Sequence, residues 1–275
     1  MPGARQRTTS KTNGGPHRTA GGSRARGKVR TSWEGVAEWY DGWVGPEGSH
    51  HHQKLAIPAV MGLLNLQPGE RVLDIACGQG ALAATVAQAG AHYEGVDASP
   101  ALIQKARGYH NTKAVFHVGD ARKLAELPSL TAGSFDAAVF MLSIQDIDPL
   151  QPALASAAAM LKPGGRVVLL MTHPCFRIPR QSGWGYDEGR KLLFRRVDAY
   201  MSPLAIPLNE GATRSFHRPL SEYINGLGVA GLLVDAMKEI PTYKKADAKS
   251  ARSQAEQRAN EEFPLFMGLR ARKAG

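Results

Sequence analysis

Cysteine is nearly missing from this chain of 275 residues: the two present, Cys77 and Cys175, lie far apart. With no signal-peptide pattern ahead of them, they predict neither a disulfide framework nor an oxidising compartment, and a cytoplasmic setting is expected. Long hydrophobic runs are also absent. No stretch approaches the roughly 20 consecutive apolar residues that a membrane-spanning helix requires, so no membrane partner is expected. The first 30 positions lack acidic residues altogether and hold almost no large apolar side chain. Arg5, Arg7, Lys11, Arg18, Arg24, Arg26, Lys28 and Arg30 there supply +8 of the formal net charge of +10. Such a segment cannot bury enough surface to offset its ordering entropy, so residues 1–30 read as a disordered basic arm. The body, residues 31–275, is close to neutral, which argues against a broad nucleic-acid groove.

Hydrophobic periodicity organises that body. Trp33, Val36, Trp39 and Tyr40 fall at helical spacing, and a second helical stretch at 55–66 follows His50, His51 and His52. Three adjacent histidines cannot all face one ion from a regular element, so this cluster reads as a polar loop and no metal is expected. From Arg71 onward strands and helices alternate, with strands at 71–76, 92–96, 114–118, 135–142 and 166–171 and helices at 100–107 and 152–160. Alternation of this kind predicts a parallel sheet covered by helices on both faces. Towards the end a helix at 220–230 precedes a strand at 232–240, a polar helical insert at 246–261 and a last strand at 265–272. Residues 173–216 follow neither period and read as a cap.

The chemistry gathers at strand ends. Gly78 and Gly80 sit where the first strand passes into a helix, and glycine there lets backbone N–H groups approach a ligand closely. Asp97 ends the second strand, nineteen residues after Gly78, where a carboxylate can accept both hydroxyls of a ribose. The loop lacks the full G-x-G-x-x-G run that cradles a pyrophosphate, so a nucleoside is favoured over a dinucleotide. Asp120, after the third strand, is placed to accept a hydrogen bond from an adenine amino group.

Taken in order, Val72 through Gly80, Gly95-Val96-Asp97-Ala98-Ser99-Pro100, Gly119-Asp120-Ala121, Phe135-Asp136 through Ile144, and Leu161-Lys162-Pro163-Gly164-Gly165 resemble the motifs of class I, Rossmann-like methyltransferases dependent on S-adenosyl-L-methionine. The resemblance covers roughly residues 68–172. It implies a three-layer α/β/α sandwich whose seven-stranded, mostly parallel sheet has an antiparallel last strand. It also implies that Asp74 orients the loop and the methionine ammonium, Gly78 and Gly80 flank the methionine part, and Asp97 holds the ribose, with Ala98 counted among the cofactor residues. Asp120 and Ala121 would hold the adenine, and Met141 and Leu142 would line the sulfonium. Ala76 stands where many members carry the first glycine of the loop, and it is counted with the cofactor residues. Tyr40 is expected either to touch the methionine carboxylate or to pack in the core.

On the acceptor side, His173 follows the fifth strand and is the first candidate for a general base; His217 is the second. Either can instead be a structural histidine. The cap sets Phe176, Trp184, Tyr186, Phe194 and Tyr200 beside Arg177, Arg180, Arg195 and Arg196, a composition suited to an aromatic or anionic small acceptor or to packing on itself. His-Pro-Cys-Phe-Arg-Ile-Pro (173–179) and Phe-His-Arg-Pro-Leu-Ser-Glu-Tyr-Ile (216–224) resemble a bacterial branch of small-molecule methyltransferases. The expected reaction is therefore methylation of an oxygen or nitrogen of a small molecule. Two alternatives stay open: an RNA-associated methyltransferase that uses the basic arm, and a non-catalytic protein that binds the cofactor. Deleting residues 1–30 separates the first two, because a small-molecule enzyme keeps its activity without the arm whereas an RNA enzyme loses salt-dependent affinity in a binding titration.

Overall fold

The computed structural model describes residues 33–110, 114–247 and 249–275; the basic arm expected over 1–30 lies outside the described residues. Its main sheet has seven strands: β1 (Arg71–Ile75), β2 (His92–Asp97), β3 (Ala114–Val118), β4 (Phe135–Met141), β5 (Leu161–Thr172), β10 (Leu232–Ile240) and β11 (Phe266–Lys273). Their order is β10-β11-β5-β4-β1-β2-β3. The pairs from β5 across to β3 are parallel, and β11 runs antiparallel to both of its neighbours. This is the expected mostly parallel sheet, with the last strand of the chain inserted in reverse between β10 and β5.

Strand alternation separates two apolar layers. On β4 and β5, Ala137, Val139, Val168 and Leu170 face a layer formed with helices α2 (Ile57–Leu64), α3 (Ala83–Gln88) and α4 (Pro100–Tyr109). Ala138, Phe140, Val167, Leu169 and Met171 face the opposite layer, completed by α5 (Leu150–Met160) and α6 (Leu220–Val229). The chain leaves β1 towards β2 and β3 on one side and reaches β4 and β5 on the other. The carboxyl ends of β1 and β4 therefore flank the reversal of strand order, where open α/β sheets form their ligand crevice.

Two expectations need correction and a third gains detail. Residues 173–216, read as a cap that follows neither period, form with His217 two antiparallel hairpins, β6 (Ser182–Asp187) with β7 (Leu192–Val197) and β8 (Leu204–Leu208) with β9 (Thr213–His217). These strands are only half covered: in β8 half-buried Leu204, Ile206 and Leu208 alternate with exposed Ala205 and Pro207, but β6 and β7 carry glycine and arginine at half-buried positions, so the pattern there is weak. The histidine run is not a loop. His52 starts a π-helical turn, 52–56, that leads into α2, and its buried ring bonds Ser49 Oγ through Nδ1 at 2.9 Å. The aromatic stripe before it is a 3₁₀ turn followed by the short helix α1 (Ala37–Val44), which buries Val36, Ala37 and Val44 but leaves Trp39 and Trp43 exposed. Helix α7 (Ala251–Glu262) fills the polar insert and begins with a capping box between Ser250 and Ser253.

Candidate active site

A cavity of about 680 Å³ opens at the carboxyl ends of β1, β2 and β4, beneath α1 and the hairpins. Its floor is the loop after β1. Gly78 adopts φ +56°, and a Cβ there would come within 3.3 Å of Tyr40 Cε1, so glycine lets the loop and the Tyr40 ring meet. The Gly78 N–H donates to Asp97 Oδ2 at 2.9 Å, and the Ser99 N–H donates to Oδ1 at 2.9 Å. Asp97 thus joins the end of β1 to the start of α4. Burial pushes its carboxyl up, against the lowering effect of those backbone donors.

Asp74 lies deeper, only 1% exposed. Its Oδ2 accepts the Tyr93 hydroxyl at 2.8 Å, while Oδ1 is buried with no hydrogen-bond partner among the described residues. Burial raises its carboxyl to about 7, the Tyr93 hydrogen bond opposing and the charge of Asp97 adding to the rise. An acceptor atom left this way normally costs on the order of 1–3 kcal/mol, so the position calls for a donor from outside the chain.

Ala76 and Leu142, at the ends of β1 and β4, line the same cavity, and both hold φ +57° although neither is glycine. Left-handed backbone at two non-glycine residues costs roughly 1–2 kcal/mol each, and such strain gathers where a site needs a particular loop path. Ala98, Ala121 and Met141 also line the cavity. Tyr40 does too, its ring edge-on to Trp33 (centroids 5.2 Å apart) and Trp43 (6.2 Å). Burial above all, then the carboxylates Asp146, Asp97 and Asp74, drives the Tyr40 hydroxyl far above its ordinary range, so it stays a neutral donor.

Several expected residues occupy other places. Gly80 does not line the cavity; at φ +84° its missing Cβ makes room for Phe116, which would stand 2.8 Å from it, so it supports the loop from below. Asp120 lines the cavity, but its carboxylate is held by Arg122, with Nη2 to Oδ2 at 2.6 Å and Nε to Oδ1 at 2.9 Å, and is kept low by that guanidinium. An adenine amino group would share this carboxylate with Arg122. His173, the first candidate base, is buried outside the cavity lining. Its Nδ1 accepts the Cys175 N–H at 3.2 Å and its Nε2 meets Glu239 Oε1 at 2.8 Å, so both ring nitrogens are used to anchor the turn after β5. Desolvation lowers its pKa, against the raising effect of Glu239. Of the two readings of His173, base or structural histidine, this geometry fits the structural one.

His217 does line the cavity. Its Nε2 lies 2.7 Å from the Tyr200 carbonyl oxygen and must donate to it, which leaves the lone pair on Nδ1. Beside it lie Asp146, Ser215 and Arg218, none of which is among the expected site residues. Burial raises the Asp146 carboxyl to about 7, against the Ser215 hydrogen bond and the charge of Arg218. Arg218 bonds Asp148 Oδ1 at 2.9 Å and the Ile147 carbonyl oxygen at 2.7 Å. Asp146 and Ser215 are marked in the sequence only by position, Asp146 shortly after β4 and Ser215 on β9, whereas Arg218 falls within the 216–224 motif.

Residues 72–165 match the family model described as a methyltransferase domain. A demethylmenaquinone methyltransferase of Tropheryma whipplei (strain Twist) is 36% identical over 113 residues, 41% of this chain and 46% of the relative. A ubiquinone biosynthesis O-methyltransferase of Xanthomonas axonopodis pv. citri is 33% identical over 105 residues, 38% of this chain and 44% of the relative. The matches thus span less than half the length of these curated relatives. Among solved structures, an S-adenosylmethionine-dependent methyltransferase from Mesorhizobium loti superposes with a TM-score of 0.63 at 24% identity, covering 78% of this chain and 96% of the other. That likeness establishes the Rossmann-like methyltransferase fold.

The Asp74 carboxyl carries a pH dependence with a definite sign. Its folded-state pKa is raised from 3.8 to about 7, so its contribution to stability is fully present below about pH 4 and is lost as pH rises through 7. Asp146 adds an effect of the same sign. The unliganded protein should show a falling denaturation midpoint from mildly acidic to mildly alkaline buffer, and Asp74→Asn should flatten part of that fall. Equal slopes in the two proteins would show that Asp74 ionises as an ordinary carboxyl.

Proposed function

Starting from the methyltransferase domain of residues 72–165 and the Rossmann-like fold around it, we propose that this chain transfers a methyl group from S-adenosyl-L-methionine to an oxygen or nitrogen of a small-molecule acceptor. The unpartnered Oδ1 of buried Asp74, beside the loop that Asp97 holds, carries this reading. An ammonium group meets its need for a donor, and Tyr40, closed over Gly78, suits the carboxylate of the same amino-acid part. Asp97 retains lone pairs for a ribose diol, Ala98 and Ala121 give the base apolar contact, and Met141 and Leu142 face the reacting end. The small-molecule methyltransferases among the relatives support the choice of acceptor class.

When bound, the cofactor supplies an electrophilic methyl carbon whose bond to sulfur breaks, with the electron pair kept by sulfur, as the bond to the acceptor forms. Holding the reacting atoms in line can lower the barrier by as much as roughly 7–11 kcal/mol, so the chain's work is chiefly orientation. His217 adds proton removal: Nδ1 takes the proton of an acceptor hydroxyl or ammonium while the Tyr200 carbonyl holds Nε2–H in place. We assign the catalytic unit to residues 31–275, with 173–216 as its acceptor-side cap. The described residues include no helix long and apolar enough to cross a membrane, and a cytoplasmic enzyme is the reading we adopt.

Calorimetric titration of S-adenosylhomocysteine should show micromolar binding to the wild type and a loss of roughly 1.5–3 kcal/mol, tenfold or more, in Asp97→Ala. A well-folded wild type that does not bind would overturn the assignment. Once an acceptor supports turnover, His217→Ala should lower kcat by about 10²–10⁴ with little change in KM. His173→Gln should instead lower the thermal midpoint and leave the pH profile of kcat in place. The reverse pattern would return the base to His173.

A further inference from the structure

Three arginines line the cavity: Arg122, Arg177 and Arg218. Two of them are matched by carboxylates, Arg122 by Asp120 at 2.6 Å and Arg218 by Asp148 at 2.9 Å. Arg177 has no carboxylate partner among the described residues. Its Nε and Nη2 donate to the carbonyl oxygens of Pro264 (3.2 Å) and Phe263 (3.3 Å), which are dipoles and carry no net charge.

A second unmatched guanidinium stands close by. Arg195 on β7 is the direct cross-strand partner of Trp184 on β6, and its Cζ lies 5.0 Å from the Trp184 ring centroid, with Arg177 Cζ at 5.7 Å. Arg195 donates to the Phe176 carbonyl at 2.7 Å and to Ser182 Oγ at 2.9 Å, again to neutral groups. The nearby acids of the hairpin are engaged elsewhere: Glu188 with Lys191, and Asp198 with Arg196. Asp187 accepts the Arg190 N–H at the turn. Two half-buried cations thus share one tryptophan with no anion between them. Burial lowers both pKa values, and Arg195 repels the charge of Arg177. Such a pair gains more than an exposed one from a bound anion, because the repulsion it relieves is less screened.

We propose that Arg177, on the cavity wall, and Arg195, outside that lining but against the same Trp184 ring, together bind an anionic group of the acceptor, a carboxylate or a phosphate, so that the substrates are acids. This inference rests on the methyltransferase reading for its word "acceptor", and its experiment is separable from it. The full chain, saturated with S-adenosylhomocysteine, is titrated calorimetrically with benzoate, phenyl phosphate, benzamide and benzylamine. At least one of the two anions should bind about tenfold or more tightly than benzamide, and the stronger of them identifies the anion. Arg177→Gln and Arg195→Gln should each abolish that preference, Arg177→Lys should restore part of it, and added salt should weaken it. Thermal midpoints of the variants report whether the cap remains folded, and the lysine variant keeps the test open if a glutamine variant does not. Benzamide or benzylamine binding as well as the anions would overturn the proposal. So would anion binding undiminished in the variants, or no anion binding in the millimolar range. Failure of S-adenosylhomocysteine itself to bind would sink the methyltransferase reading instead, and the anion preference would then be read without it.

Discussion

The carboxylate of Asp97 holds the site together. One oxygen takes the Gly78 N–H and the other the Ser99 N–H, so a single side chain at the end of β2 fixes both the loop leaving β1 and the entry to α4. The Ser99 hydroxyl then accepts the Leu102 N–H as the N-cap of α4 and donates to Glu34 on the covering segment. Loop, helix and cover are thereby referred to one buried charge. Moving that charge would displace all three, and the strain at Ala76 and Leu142 is tolerable because the surrounding sheet leaves those residues no other path.

Burial makes the same site electrostatically unfinished. Burial raises Asp74 and Asp146 to about 7 against the hydrogen bonds each receives, and Tyr40 is held neutral. Preorganised, partly unsatisfied groups of this kind cost stability in the free protein and favour a ligand that brings the missing charge or donor. A cationic ligand with an ammonium group matches the Asp74 side of the cavity. On the cap side Arg177 brings the opposite sign to the cavity wall, with Arg195 against the same Trp184 ring outside the lining.

The two histidines show how local position and tertiary environment part company. His173 follows β5 inside the main sheet and His217 ends β9 of the cap, and both have the chemistry of a base. His173 spends its nitrogens on Cys175 and Glu239 and closes the turn after β5. His217 keeps one lone pair because a carbonyl from the Tyr200 segment takes only its Nε2 proton. A residue's distance from a strand end did not distinguish them; their partners, contributed by β10 in one case and by the segment before β8 in the other, did.

Short-range pattern alone determined the sheet and the cofactor side of this protein. Buried parallel strands demand apolar runs, and tight turns from strand to helix demand glycine or strained backbone. Gly78, Asp97 and Asp120 were marked by their spacing and Asp74 by the resemblance, and all four line the cavity. The acceptor side was not. Its strands are half-exposed hairpins, and although composition had marked Arg177 and Arg195, the groups Asp146, Ser215 and Arg177 reach the cavity from segments far apart in the chain that meet only when the hairpins have folded over the sheet. Which charges remain unpaired, and which glycine supports rather than lines the loop, depends on contacts between residues distant in sequence, and only the tertiary structure could decide that.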